Sequence, residues 1–166
     1  MSCLAVIDTN VLVSALLSKH ADSATVKVIE KLFDGEIIPV YSNEITNEYR
    51  EVLHRKKFKF DCNTVDYLVS AIEKFGILTT PTSLNITLPD MKDLPFYEVV
   101  MEKRADDAFL VTGNLKHFPQ KPFVVSARQM LEILEKKSNR PIAIHRAKHI
   151  FVLCGFVFSK MRCKRN

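Results

Sequence analysis

An α/β three-layer sandwich, with a central parallel sheet covered by helices on both faces, is the fold this sequence predicts. Three observations carry that prediction. Short apolar runs of strand length alternate with segments of helical periodicity along the chain, the pattern of strand–helix–strand units around a parallel sheet. The first run, Cys3 to Ile7, stops at Asp8 and a helical pattern begins at once. Hydrophobic content of 47% and charged content of 26% over 166 residues are those of one globular domain able to bury an ordinary core.

The elements follow in order. Residues 3–8 read as a buried strand, and residues 10–18 as an apolar helix with Val11, Leu12, Ala15 and Leu16, which Thr9 is placed to cap. Thr25 to Phe33 has helical spacing in Val28, Ile29, Leu32 and Phe33 and is stopped by Asp34-Gly35. Glu36 to Tyr41 is a second strand. Ser42 is the candidate cap of a helix running to about Arg55 on an apolar stripe of Ile45, Tyr49, Val52 and Leu53. A helix from Asn63 to Lys74 ends at Gly76, and Ile77 to Leu88 reads as two short extended pieces around Pro81-Thr82-Ser83. Asp93 starts the next helix, through about Lys103, with Pro95 in the first turn where its missing N–H is not needed. Ala108 to Thr112 is a strand, Gly113-Asn114 a turn, and Phe123 to Val125 a last strand. Ser126 then caps the helix of Met130, Leu131, Ile133 and Leu134.

The net charge of +5 is unevenly spread. Residues 140–166 hold seven basic residues (Arg140, Arg146, Lys148, Lys160, Arg162, Lys164, Arg165) and no acid. The first 139 residues therefore carry 17 of the 24 basic residues against all 19 acidic ones, a net of −2. Basicity belongs to the tail and does not by itself argue that the body binds nucleic acid. The expected division is a domain over 1–138 and a basic, apolar tail over 139–166 whose role the sequence leaves open. Ile150 to Phe158 in that tail is almost continuously apolar, but nine residues are too few to span a bilayer as a helix. Cys3, Cys62, Cys154 and Cys163 lack zinc spacing, and no secretory leader is expected because Asp8 breaks the first apolar run; free thiols in a cytoplasmic protein, away from membranes, are the expectation.

The acids carry the chemistry. Asp8 ends the first strand, and in open α/β sheets the carboxyl ends of the strands are where ligands bind. Glu44, Glu48 and Glu51 lie on the helix after the second strand, with Glu44 and Glu48 one turn apart on a shared face. Asp90 and Asp93 precede or open the helix after residue 90, and Asn114 follows the strand end Val111-Thr112-Gly113. Carboxylates gathered at one edge repel each other, and hard ions such as Mg²⁺ or Mn²⁺ relieve that repulsion and can activate water against a phosphate. Each residue has a plainer reading as well: Asp8 and Asp93 as caps, Glu48 as a solvated helix residue, Asn114 as a turn former. Their joint placement is what argues for a site.

Four blocks carry a resemblance. Val6-Ile7-Asp8-Thr9-Asn10-Val11-Leu12-Val13 resembles the opening of the PIN-domain nucleases. Ser42 through Glu48 to Leu53-His54-Arg55-Lys56-Lys57-Phe58 resembles their second block. Asp90-Met91-Lys92-Asp93-Leu94-Pro95-Phe96, followed by Ala105-Asp106-Asp107-Ala108-Phe109-Leu110-Val111-Thr112-Gly113-Asn114, resembles the third and fourth. The likeness covers about residues 3–135, in order, and is nearest to the PIN subgroup of toxin components of bacterial toxin–antitoxin pairs.

What the resemblance implies is a PIN-like fold and a Mg²⁺- or Mn²⁺-dependent ribonuclease with Asp8, Glu48 and Asp93 as catalytic acidic ligands. It further implies RNA as substrate, an antitoxin protein as partner, and pairing into homodimers. The family's fourth acid falls on Asn114, whose amide oxygen can ligate a hard cation but supplies no charge. That departure keeps a second reading open, a catalytically weak or inactive PIN-like module that binds RNA or a protein. Thr9, Asn10 and Thr112 are short polar groups at the same edge, able to orient ligands or water, or else to serve as caps and turn residues. Lys116 and His117 lie close enough to Asn114 to touch a phosphate. His54, Arg55, Lys56, Lys57 and Lys59, interleaved with Phe58 and Phe60, could track an RNA backbone, or simply place charge at a helix C-terminus beside two core rings. An aspartate-nucleophile phosphatase also places an acid after its first strand, but it needs a second Asp two residues on, where this chain has Asn10.

Overall fold

Asp8 owes its position to a five-stranded, all-parallel sheet in the order β3-β2-β1-β4-β5. The strands are β1 (Cys3–Ile7), β2 (Ile37–Tyr41), β3 (Ile77–Leu78), β4 (Phe109–Val111) and β5 (Val124–Val125). The computed structural model describes residues 2–138; the tail expected over 139–166 lies outside the described residues. Among the described residues six α-helices flank the sheet: α1 (Thr9–Leu17), α2 (Ala24–Phe33), α3 (Asn43–Leu53), α4 (Cys62–Phe75), α5 (Leu94–Glu102) and α6 (Ala127–Ser138). This is the predicted α/β sandwich.

The central strand, β1, is apolar throughout. β1 is paired on both sides, so its backbone is satisfied within the sheet, and Cys3, Ala5, Val6 and Ile7 are all buried. Register fixes what lies at the carboxyl edge. Ile7 is opposite Val111 and Val111 is opposite Val125, so the next residues, Asp8, Thr112 and Ser126, emerge side by side. Strands β2 and β3 lie on one side of β1, and β4 and β5 on the other, so the chain reverses its direction of travel between β1 and β4. That crevice is the topological switch point at which α/β sheets bind ligands, and Asp8 and Thr112 are its two walls.

Helix starts and stops follow local chemistry. Ser23, Ser42 and Asp61 are N-caps of α2, α3 and α4, each accepting a hydrogen bond from the backbone of the first turn. α3 buries Ile45, Tyr49 and Leu53, one residue per turn, together with Thr46. Gly76 ends α4 at a close approach: a Cβ there would lie 2.4 Å from the Ile72 carbonyl oxygen and 2.7 Å from that of Pro39. Among the described residues no helix is long and apolar enough to cross a membrane.

Three expectations are corrected at this level. Asp8, not Thr9, caps α1, because its extended backbone turns its carboxylate onto the Asn10 amide while Thr9 is already helical. Only Ile77–Leu78 of the Ile77 to Leu88 stretch pairs with the sheet; this outermost strand is cut short as the chain leaves for α5. Asp93 closes a single 3-10 turn, Met91–Asp93, and stands at the expected N-cap position of α5, which begins at Leu94, but its side chain makes no capping bond there.

Candidate metal centre

The switch-point crevice collects most of the polar residues singled out in the sequence. Asp8 is 3% exposed, an unusual depth for a carboxylate. Its Oδ2 accepts from the Thr112 hydroxyl at 2.6 Å and from the Asn10 side-chain amide at 2.6 Å, and its Oδ1 accepts from the Asn10 backbone at 3.1 Å. An O–H···O contact of 2.6 Å is in the range of a charge-assisted bond. Asn10 is itself held, its Oδ1 accepting from the Gly113 backbone at 2.8 Å. A Cβ on Gly113 would lie 2.9 Å from that oxygen, so the residue after Thr112 must be small for the Asn10 clip to close. The Thr112 oxygen also accepts from the Asn114 backbone at 2.9 Å. One hydroxyl thus ties the β4 turn to the β1 carboxylate.

Glu48 reaches this region from α3 and Asp93 from the 3-10 turn before α5. Glu48, half-buried on the second turn of α3, accepts from the Thr9 hydroxyl at 2.6 Å. Glu44, one turn earlier, is exposed in the first turn, where it complements the helix N-terminus instead. Tyr49, next to Glu48 and fully buried, donates its hydroxyl to the Ile7 carbonyl, which locks α3 against the end of β1. Asp93 has 17% of its side chain exposed and its Oδ2 lies 2.8 Å from His117 Nδ1. Asp90, Asp93 and His117 each offer a ligand atom within 4.8 Å of the other two, a group that includes neither Asp8 nor Glu48.

The electrostatics show that these acids share one field. Burial raises the Asp8 carboxyl above its ordinary 3.8, the bonds from Thr112 and Asn10 pull it back, and the negative charge of Asp93 raises it further. Burial likewise raises Glu48 above 4.5 against the opposing Thr9 bond, with Asp8 and Asp93 adding to the rise. The Tyr49 hydroxyl stands well above 10 through burial and the charges of Asp8 and Glu48. Among the described residues no lysine or arginine forms an ion pair with Asp8, Glu48 or Asp93. The donor set is oxygen-rich and anionic, with the His117 imidazole beside Asp93 as its one nitrogen neighbour among the described residues, which suits a hard divalent cation.

The remaining predicted positions divide. Asn114 and Lys116 are exposed at the crevice rim, Asn114 engaging through its backbone. His117 pairs with Asp93. Three features went unread in the sequence: the Thr9–Glu48 bond, the Tyr49–Ile7 strut and the joining of His117 to Asp90 and Asp93. The first two had a local signal, a hydroxyl and a ring flanking the acids they support. The third depends on how residues 24 apart are brought together by β4.

A family profile described as PIN domain matches residues 5–116 of the chain. Neither a curated protein nor a solved structure matches it.

Proposed function

This chain belongs to the PIN-domain family, whose members are in general metal-dependent nucleases, and from that premise we propose that it is an endoribonuclease using Mg²⁺ or Mn²⁺. The observation that supports the reading is that the charge of Asp93 reaches both Asp8 and Glu48 while Asp93 itself lies in a ligand-type cluster with Asp90 and His117, and that among the described residues no lysine or arginine pairs with Asp8, Glu48 or Asp93. These acids would hold the cation, with Asn114 as a rim ligand. When bound, such an ion polarises a phosphate oxygen and lowers the pKa of water.

The chain's own residues prepare that chemistry. Thr112 and Asn10 fix the Asp8 carboxylate so that both its oxygens have set directions, and Thr9 does the same for Glu48. His117 orients Asp93. Preset oxygens cost no reorganisation when charge develops on the phosphate. Attack by water, without a covalent intermediate, is the proposed course, with the Thr9 and Thr112 hydroxyls engaged in orienting Glu48 and Asp8.

The test is cleavage of labelled RNA with Mn²⁺, Mg²⁺ or EDTA. Wild type is expected to cleave only with metal, and Asp8→Asn to lose cleavage while keeping its circular dichroism spectrum. Undiminished metal-dependent cleavage by that variant removes Asp8 from the mechanism.

The four blocks suggest the toxin of a toxin–antitoxin pair as the setting, with a small partner covering the acidic crevice and with two copies pairing. Growth arrest on expression, relieved by a co-expressed partner, tests the former, and light scattering the latter. Asn114 favours a second reading, a module that binds without cutting, since its amide brings no charge to the site. Absence of Mn²⁺-dependent cleavage alongside retained RNA binding selects that reading.

A further inference from the structure

Beyond the crevice, the same helix that carries Glu48 runs into a cationic turn. α3 ends at Leu53, and Lys56–Phe58 form a single 3-10 turn closed by Lys59, whose backbone is left-handed at φ 54. Lys56, Lys57 and Lys59 are exposed, and among the described residues none of the three forms an ion pair. Compensation of the helix C-terminus does not account for them. His54 already lies 2.8 Å from the Arg50 carbonyl oxygen and 3.3 Å from Asp66, and Arg55 pairs with Glu51. Three further cations on a body of net charge −2 are a local concentration without an anionic partner among the described residues.

The two rings in this turn are its mount. Phe60 packs on the core, Phe58 stacks on Phe60 at 5.3 Å and 8°, and the Lys57 ammonium sits 4.8 Å over the Phe58 ring. The aromatic faces are thus largely used within the protein, which leaves the ammonium groups, and not base stacking, to meet a ligand. By helix rise the turn lies about 12 Å along the chain from Glu48.

Building on the nuclease reading, we infer that Lys56, Lys57 and Lys59 form a second contact for RNA, gripping phosphates of a single strand a few nucleotides from the bond held at Asp8 and Glu48. The contact is to the backbone and carries no sequence preference. It serves to hold longer substrates and has no part in the chemical step.

The test is fluorescence anisotropy of the full chain in EDTA with a labelled 12-nucleotide RNA, across a salt series. The triple variant Lys56→Gln, Lys57→Gln, Lys59→Asn keeps a residue tolerant of left-handed backbone at position 59, and Lys27→Gln, at an exposed position of α2, is the control. The triple variant is expected to bind about tenfold or more weakly and to lower the log–log salt slope by about 2, since each single-strand phosphate contact contributes roughly 0.7. The control should match wild type. With Mn²⁺, a higher KM at unchanged kcat is expected on the 12-nucleotide RNA, and neither constant should change on a dinucleotide. A slope and affinity equal to wild type overturn the inference, as does an equal loss in the control. Binding of anionic vesicles or an acidic peptide, but not RNA, through these lysines also overturns it. Because the binding arm needs no cleavage, a protein that fails to cut RNA leaves this test intact.

Discussion

Removing one hydroxyl group, in Thr112→Val, tests the wiring of the metal centre most directly. Thr112 is fully buried and donates at 2.6 Å to Asp8, itself 3% exposed, so solvent cannot replace the lost donor. Valine matches threonine in shape, and the cost reduces to the hydrogen bond. A bond to a charged acceptor contributes about 1.5–3 kcal/mol net, and that is the expected loss of stability in urea melts at neutral pH with EDTA. The Asn114 amide also loses its acceptor but is at an exposed turn and can turn to water, so it adds little. Thr112→Ser keeps the hydroxyl and should lose only its methyl contribution, about 1 kcal/mol or less. The penalty must also depend on pH. The Thr112 bond is the largest influence lowering the Asp8 carboxyl, so its removal raises that carboxyl further, and the cost grows as Asp8 ionises. In acid, where Asp8 is neutral, the loss should shrink toward the 0.5–1.5 kcal/mol typical of a neutral bond, roughly halving. A destabilisation below about 0.5 kcal/mol at neutral pH, or one that is flat with pH, refutes the claim that this hydroxyl serves an ionised Asp8.

The other predictions concern the same crevice. Glu48 and Asp8 have folded-state values raised above their ordinary ones, so each contributes stability that is present below the ordinary carboxylate range and lost as pH rises through the raised value. Without metal, Glu48→Gln should therefore gain on wild type in melting temperature as pH climbs from about 4 to 7, and a constant gap removes the strained-charge account. Thermal shifts from added Mn²⁺ should run the opposite way, growing with pH, since ligation needs the ionised acids. Asn114→Asp should tighten Mn²⁺ binding in calorimetry, and no change counts against position 114 as a ligand. Tyr49→Phe leaves the Ile7 carbonyl without its side-chain donor and should cost about 1–3 kcal/mol; a value near zero dismisses the strut between β1 and α3.

Much of this architecture was legible in the sequence because its signals are local. An apolar run that halts at Asp8, a serine before an amphipathic stripe at Ser42, and Gly76 after Phe75 each report on a few neighbouring residues, and strands and helices follow from them. The crevice could be anticipated for the same reason: a parallel sheet must bring its carboxyl ends to one edge, so Asp8 and Thr112 were bound to be neighbours. What escaped was set by distance in the chain. Asp93, closing the 3-10 turn at Met91–Asp93, turns its side chain to His117 and makes no capping bond to α5, and nothing near either residue announces that encounter. Thr9 looked like a cap because hydroxyls usually are; its use by Glu48 requires knowing where α3 docks.

The Asn10 clip has a consequence for what this crevice can become. Its amide is polar in two senses at once: the oxygen must face the Gly113 N–H and the nitrogen must face Asp8. Turning it over would set donor against donor at one end and oxygen against carboxylate at the other. An aspartate at position 10 keeps an acceptor for the Gly113 N–H but holds a second anion 2.6 Å from Asp8 Oδ2 where a proton donor is required. The difference between this chain and an acid–x–acid catalyst is therefore more than a missing nucleophile. With this loop geometry a single-atom exchange at the Asn10 amide nitrogen sets two carboxylates against each other at the end of β1, so passage from one chemistry to the other demands a respaced loop as well as a new side chain.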